Sequence, residues 1–325
     1  MKAFVLPAYG SADVLELTDL EVPAPGEGEV LVRVRATSVN PADWHIMRGE
    51  PRVARLMGGA IGLRRPGLRV LGFDVAGEVA AVGPGVEAFA PGDEVFGLVN
   101  GGGFGEYVCA PAGRFARKPA NLSFEQAAAV PLAACTALIA VRDVEPGQRV
   151  LVNGASGGVG TFAVQLARAF GAEVTGVCRT RNVEMVRSIG ASEAIDYTTT
   201  DFTRTGRRYD LLVDIAGSRT LLACRRVIAR GGRYVVVGGT AGKWMQPAGH
   251  MFASLALSPF VRAKIARADV VASGRTREDL ALLAELASAG ELTPVIDRTY
   301  PFADTPAAVR YQEEGHCPGK VVVAF

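Results

Sequence analysis

Residues 149–170 read Arg149-Val150-Leu151-Val152-Asn153-Gly154-Ala155-Ser156-Gly157-Gly158-Val159-Gly160-Thr161-Phe162-Ala163-Val164-Gln165-Leu166-Ala167-Arg168-Ala169-Phe170. A β-branched apolar run meets a string of glycines and then a run of helix formers, which is strand, turn and helix in that order. In a chain with 39 glycines the spacing Gly-x-x-Gly-x-x-Gly carries little by itself, and its place between strand and helix is what raises it. Glycines let a backbone approach a pyrophosphate closely. The unpaired N–H groups and the positive dipole end of the following helix then stabilise its charge. Ser156, Gly157, Gly158, Val159 and Gly160 are therefore expected to carry the phosphates of a dinucleotide.

Outward from this turn, the chain after Asn121 alternates strands and helices. Strands are expected at Arg149 to Asn153, Glu173 to Cys178, Ala194 to Tyr197, Asp210 to Ile215 and Arg233 to Val237, with helices at Thr161 to Phe170, Val183 to Ile189 and Ser218 to Ala229. That rhythm predicts a doubly wound parallel sheet. Gly217, Gly238 and Gly239 close later strands on the edge where such a sheet binds its ligand, although ordinary turn chemistry also accounts for glycine there. Upstream, short β-rich runs such as Lys2 to Leu6, Glu29 to Ala36 and Val75 to Val82 alternate with Gly and Pro, as in a compact antiparallel domain. Downstream, a helix over Arg277 to Ala289 precedes strands at Pro294 to Tyr300 and Lys320 to Phe325 that flank a helix at Thr305 to Glu314. These last strands are expected to rejoin the first domain, giving domains of 1–121 completed by 294–325, and 122–293. The apolar segment Lys243 to Ala268, with Trp244, Met245, Met251, Phe252, Leu255, Leu257 and Phe260, suits a substrate cleft, a dimer face or a satellite core.

At the end of the second strand of the α/β half, where an NAD enzyme offers Asp or Glu to the adenosine ribose, the chain has Cys178-Arg179-Thr180-Arg181-Asn182. A carboxylate there repels a 2′-phosphate, whereas a guanidinium donates charge-assisted hydrogen bonds to it. Arg179 and Arg181 thus favour NADPH, the alternative being a solvated loop.

Composition sets the outer limits. At 325 residues two domains are expected, and 21% charged with 49% hydrophobic residues marks a globular chain. The net charge of +2 gives no general affinity for nucleic acid, and the local cluster Arg52, Arg55, Arg64, Arg65, Arg69 reads as a solvated loop. Five dispersed cysteines without a Cys-x-x-Cys pair suit a reducing cytoplasm. The opening Met1 to Pro7 is too short for a signal-peptide core, and the alanine-rich run Gln126 to Val141 is broken by Pro131 into a buried helix pair, so no membrane anchor is expected.

The chain resembles the zinc-lacking, quinone oxidoreductase-like branch of the medium-chain dehydrogenase/reductases. The likeness spans nearly the whole chain. It rests on Ser38-Val39-Asn40-Pro41-Ala42-Asp43, Gly72-Phe73-Asp74-Val75-Ala76-Gly77, Pro91-Gly92-Asp93, Gly103-Phe104-Gly105-Glu106-Tyr107, the cofactor turn, and Gly319-Lys320-Val321-Val322. It implies a GroES-like β domain completed by the C-terminal strands, a Rossmann domain, an active site in the cleft between them, and a homodimer. It also implies contacts of Thr136 with nicotinamide and Tyr197 with adenine, and Lys320 is counted with the cofactor-binding residues. Where zinc-containing relatives carry Cys-x-x-Asp and Gly-His-Glu, this chain has Asn40 and Phe73-Asp74, and a further ligand position falls near Leu132, so no metal is expected. Cys135 reads as a small buried residue.

Reduction of an isolated ketone builds a full alkoxide that wants a Lewis acid, whereas a quinone or an α,β-unsaturated carbonyl delocalises the charge. The expected substrate is therefore a quinone or enone. Asn40 is placed at the cleft as a donor to substrate or cofactor, or as a turn residue before Pro41. His45 stands where related quinone reductases carry tyrosine. With an ordinary pKa near 6.5 it is a candidate proton donor, or else a surface histidine. Asp43 reads as a helix cap. Two rivals stay open: a narrow enoyl or alkenal reductase, and an NADPH-binding regulator without turnover.

Overall fold

The computed structural model describes residues 1–56, 58–239, 264–268, 270 and 274–325. Most of the segment 243–268, including Trp244, Met245, Met251, Phe252, Leu255, Leu257 and Phe260, lies outside the described residues. In chain order the strands and helices are β1 (Lys2–Val5), β2 (Glu16–Asp19), β3 (Glu29–Val39), α1 (Pro41–Arg48), β4 (Asp74–Val82), β5 (Glu94–Leu98), β6 (Tyr107–Pro111), β7 (Phe115–Arg117), α2 (Phe124–Ala128) and α3 (Pro131–Val141). There follow β8 (Arg149–Asn153), α4 (Gly158–Ala169), β9 (Glu173–Cys178), α5 (Val183–Ser188), β10 (Glu193–Asp196), β11 (Tyr209–Asp214), α6 (Leu221–Cys224), β12 (Ile228–Val236) and β13 (Lys264–Arg267). The chain closes with α7 (Thr276–Ser288), β14 (Ile296–Pro301), α8 (Thr305–Glu313) and β15 (Lys320–Ala324).

Two compact units result, Met1–Cys135 with Arg275–Phe325, and Thr136–Gly274. In the first, a sheet runs β14-β15-β3-β4-β5-β7 with β6 also on β3, antiparallel throughout except for the parallel pair β14–β15. Val30, Val32 and Val34 alternate with exposed Arg33 and Arg35, the period that buries one face of a strand. C-terminal β15 pairs with β3 from Val321 on Val39 to Ala324 on Ala36, so the last strands complete the first sheet.

The units divide later than expected. Residues 122–135 and 275–293, read from sequence as part of the α/β half, pack in the first unit. The Leu132 N–H donates to Asp74 there (2.7 Å), and the Asn121 amide donates to the Ala287 carbonyl near the end of α7 (2.8 Å). These are long-range polar contacts that helix periodicity does not reveal.

The second unit holds a parallel sheet ordered β10-β9-β8-β11-β12-β13. Sequence order is therefore 3-2-1-4-5-6, the doubly wound arrangement, with its switch point between β8 and β11. β8 is buried over Val150 to Asn153, as expected of a strand covered on both faces. The helix expected over Ser218 to Ala229 is only one short turn, because Thr220 caps α6 through Ala223 N–H and strand pairing already starts at Ile228. The extra residues up to Gly232 loop out of the β11–β12 ladder, with Gly231 at φ +79°.

Candidate active site

β8 delivers the chain to the switch point, where Gly154 turns it at φ +95°, a conformation that excludes ordinary side chains. Gly157 is the extended N-cap of α4, and the first helical bond runs from Thr161 N–H to the Gly157 carbonyl. The N–H groups of Gly158, Val159 and Gly160 are thus the orphan donors of a twelve-residue helix. Gly160 is required by packing: a Cβ there would lie 2.1 Å from the Gly154 carbonyl oxygen. Ser156 is held by the Asn182 side chain, whose Nδ2 donates to Oγ at 3.0 Å.

Past the ends of β8, β9 and β11 opens a cavity of about 320 Å3, lined by Asn153, Gly154, Ser156, Val177, Cys178, Tyr197, Phe202, Ala216, Ser218 and Arg219. Tyr197 is half exposed at its rim. Cys178 is buried, which pushes its thiol up to about 11 and leaves it an apolar wall. Arg179 follows directly; its carbonyl accepts from Asn182 N–H (2.8 Å), and its exposed guanidinium makes no hydrogen bond or ion pair among the described residues. Arg181 is exposed in the next turn. Asp196, across from β9, is held below the usual carboxylate range first by the Thr180 and Thr198 hydroxyls.

A buried ring behind the switch point shapes this edge. Asp214, at the end of β11, accepts from Asn153 Nδ2 (2.7 Å), Gly217 N–H (3.0 Å) and Tyr234 Oη–H (2.5 Å). Gly217, at φ +56°, is fixed by that bond. Gly238 lies against the Ile215 carbonyl, 2.9 Å from where a Cβ would be, and Gly239 follows it. Thr136 is half-buried on α3 and outside the cavity lining. Sequence reading missed Asn153, Asp214, Tyr234 and Arg219. The last puts its guanidinium at the cavity wall, bonded to the Ser218 carbonyl and to Asp201. The signal for Arg219, a cation just after a strand-ending glycine, was absorbed by the helix expected from Ser218.

In the first unit the cleft candidates behave differently. Asn40 is 2% exposed, and its side chain is fully engaged: Nδ2 donates to Asp74 (2.9 Å) and the Ser38 carbonyl (3.3 Å), while Oδ1 accepts from Lys320 Nζ (2.5 Å). Asp74, fully buried, also accepts from Ser38 Oγ, Leu132 N–H and Lys320 Nζ. Lys320, expected among the cofactor-binding residues, is 3% exposed and its ammonium is engaged by Asn40 and Asp74 inside the first unit. Asp43 accepts from its own cap residue, Asn40 N–H, and from Gly72 N–H. Burial, only partly opposed by those two bonds, raises its carboxyl to about 7.

His45 stacks on Trp44 (centroids 3.8 Å apart) with Nδ1 3.1 Å from the Glu50 carbonyl. Burial lowers its pKa below the ordinary value, so the imidazole is neutral at pH 7. A neutral ring that donates from Nδ1 keeps an acceptor at Nε2, an arrangement that disfavours the proton-donor role expected from sequence. Among the described residues, no three His, Cys, Asp or Glu side chains converge as metal ligands.

A doubly wound sheet with a glycine-capped helix at its switch point, paired with an antiparallel unit, defines a nucleotide-dependent dehydrogenase architecture. The alcohol dehydrogenase GroES-like domain matches residues 26–120, and the zinc-binding dehydrogenase domain matches 189–323. The chain is 34% identical, over 99% of its length and 89% of the other, to the mitochondrial NAD(P)H oxidoreductase RTN4IP1 of Bos taurus. It is 33% identical to the chloroplastic NADPH-dependent alkenal/one oxidoreductase of Arabidopsis thaliana, over 99% of this chain and 79% of that one. A solved quinone oxidoreductase from Coxiella burnetii superposes with a TM-score of 0.84 at 29% identity, covering 100% of this chain and 99% of that one. The chain belongs to the medium-chain dehydrogenase/reductase family, of the quinone oxidoreductase type. No helix among the described residues is long and apolar enough to cross a membrane.

Proposed function

We propose that the protein binds NADPH and reduces quinones or α,β-unsaturated carbonyls by hydride transfer, without zinc. The observation that carries the reading is the contrast at the end of β9: an exposed, unpartnered guanidinium on Arg179 beside a cradle of unspent helix N–H groups. The bound nicotinamide would supply the hydride. Gly157, Gly158, Val159 and Gly160 would hold the pyrophosphate, with Ser156 fixed by Asn182. Tyr197 would flank adenine, and Arg179 with Arg181 would take the 2′-phosphate, Arg219 adding positive charge at the cavity wall.

Zinc independence rests on residue chemistry. Asn40 and Asp74, at two positions where zinc-containing relatives hold ligands, have their polar atoms committed to Lys320 and Ser38. The naming of relatives for a quinone and for alkenals agrees with conjugated acceptors. Since neither Asn40 nor His45 has a hydrogen to give, the delocalised anion left by hydride transfer takes its proton from water, and the protein acts chiefly by positioning. A cytoplasmic homodimer completes the reading. Its five thiols are unpaired, as a reducing compartment keeps them.

The same lack of a donor favours one rival, a nucleotide-binding regulator. Stopped-flow NADPH oxidation against quinones, enones and simple ketones separates the two. Turnover of the conjugated acceptors alone is expected, whereas tight NADPH binding with no turnover establishes the regulator. Metal analysis of the purified protein checks the zinc statement, and light scattering the dimer.

A further inference from the structure

The stretch Pro51 to Val70 carries five arginines and no acidic residue in a chain whose net charge is +2, which leaves −3 over everything else. Arg52, Arg64, Arg65 and Arg69 are exposed. The same stretch holds Leu56, 78% exposed, and Leu63, 61% exposed, the two most exposed large hydrophobic side chains among the described residues. Other described large apolar side chains of the unit reach at most 49% exposure, at Val22, so these two leucines leave the most apolar surface in water.

The stretch is also built to hold them out. Ile61 bridges Pro66 and Gly67 N–H donates to the Ala60 carbonyl, making a small antiparallel hairpin whose tip is Gly62-Leu63-Arg64-Arg65. Tyr9, from the N-terminal segment, clamps that tip, its hydroxyl 2.6 Å from the Gly62 carbonyl and 3.0 Å from that of Arg65. The Tyr9 ring also carries the Arg55 guanidinium 4.3 Å from its centroid, and Arg55 is bonded to the Gly49 and Arg48 carbonyls. One aromatic side chain therefore ties the 3-10 turn that bears Leu56 to the hairpin that bears Leu63. The leucines and the free arginines of the tip are presented together on a fixed frame.

We propose that this face docks on an anionic lipid bilayer, with Leu56 and Leu63 entering the headgroup boundary and Arg64, Arg65 and Arg69 meeting lipid phosphates. An apolar tip flanked by cations is the pattern of a surface that lies on a membrane without spanning it. A nucleic acid would match the charge but has no place for the leucines. Docking of this kind is independent of the enzyme reading.

Sedimentation with vesicles of phosphatidylcholine, alone and mixed with phosphatidylglycerol, tests it. Binding is expected on the mixed vesicles only, weakening as salt rises. Arg64→Gln with Arg65→Gln should weaken it by roughly thirtyfold, and Leu56→Ser with Leu63→Ser by about tenfold or more. The variants change exposed side chains, and an unchanged thermal transition verifies their fold. No binding to mixed vesicles, or equal binding to neutral ones, overturns the proposal. So does a leucine double variant that binds as wild type, which would mark a plain polyanion site; an RNA oligomer held equally by wild type and that variant would identify it.

Discussion

Two regions of this protein carry chemistry-bearing residues, and they differ in what their polar groups have left to give. At the end of β8 the turn from Gly154 to Gly160 is nearly bare of side chains, and its first helix N–H groups and the neighbouring Arg179 guanidinium have no partner among the described residues. In the knot of Asn40, Asp43, Asp74 and Lys320 the side chains are richer in function, yet each is buried and spent on its neighbours. Judged by residue type alone, the knot has the more catalytic character. Hydrogen-bond capacity reverses that ranking and favours the turn as the proposed binding site and the knot as a scaffold, since a group already satisfied inside the fold has little to offer a ligand.

The largest effect is expected at Asp74. Asp74→Ala leaves the Lys320 ammonium buried without its carboxylate, and a cost of about 3 to 5 kcal/mol in denaturant unfolding is expected; a loss under about 1 kcal/mol would show that the knot is not a scaffold. Asp43 gives the pH arm. Its folded pKa is raised above the unfolded value, so its contribution is fully present below the unfolded pKa and is lost as pH rises from about 4 through about 7. Relative to Asp43→Asn, wild type should lose roughly 2 to 4 kcal/mol across that window, read from unfolding curves at stepped pH; parallel profiles would refute the assignment.

Binding-side effects are smaller. Arg179→Asp should raise the Michaelis constant for NADPH by roughly ten- to hundredfold and leave that for NADH nearly unmoved, and equal changes would sink the 2′-phosphate assignment. The smallest effect is expected at His45. Because its imidazole is already neutral, the pH–rate profile of His45→Phe should superpose on wild type, and loss of a titration near neutrality would restore the histidine as an acid.

Much of the fold was legible because local rules wrote it. Alternating burial along β3, the strand-turn-helix order around Gly154, and Thr220 as a cap all follow from nearest neighbours in sequence. The departures from local expectation share one cause. The helix expected at Ser218 to Ala229 gave way to pairing of Ile228 with Tyr209, the unit boundary moved because Asn121 meets Ala287, and Lys320 is buried on Asn40, 280 residues away. Each is decided by a partner that is remote along the chain.

By itself the sequence determined that a glycine-rich turn joins a strand to a helix, that arginines and no carboxylate follow the next strand, and that the positions where zinc-containing relatives hold ligands carry other residues. These are matters of residue type at short spacing, and backbone geometry translates them directly. Only the tertiary structure decided which polar groups remain available, because a hydrogen bond is exclusive and its partner is chosen by the packing of the whole unit. That is why the Arg179 guanidinium stands exposed, while the side chains of Asn40 and His45 are already bonded within the fold.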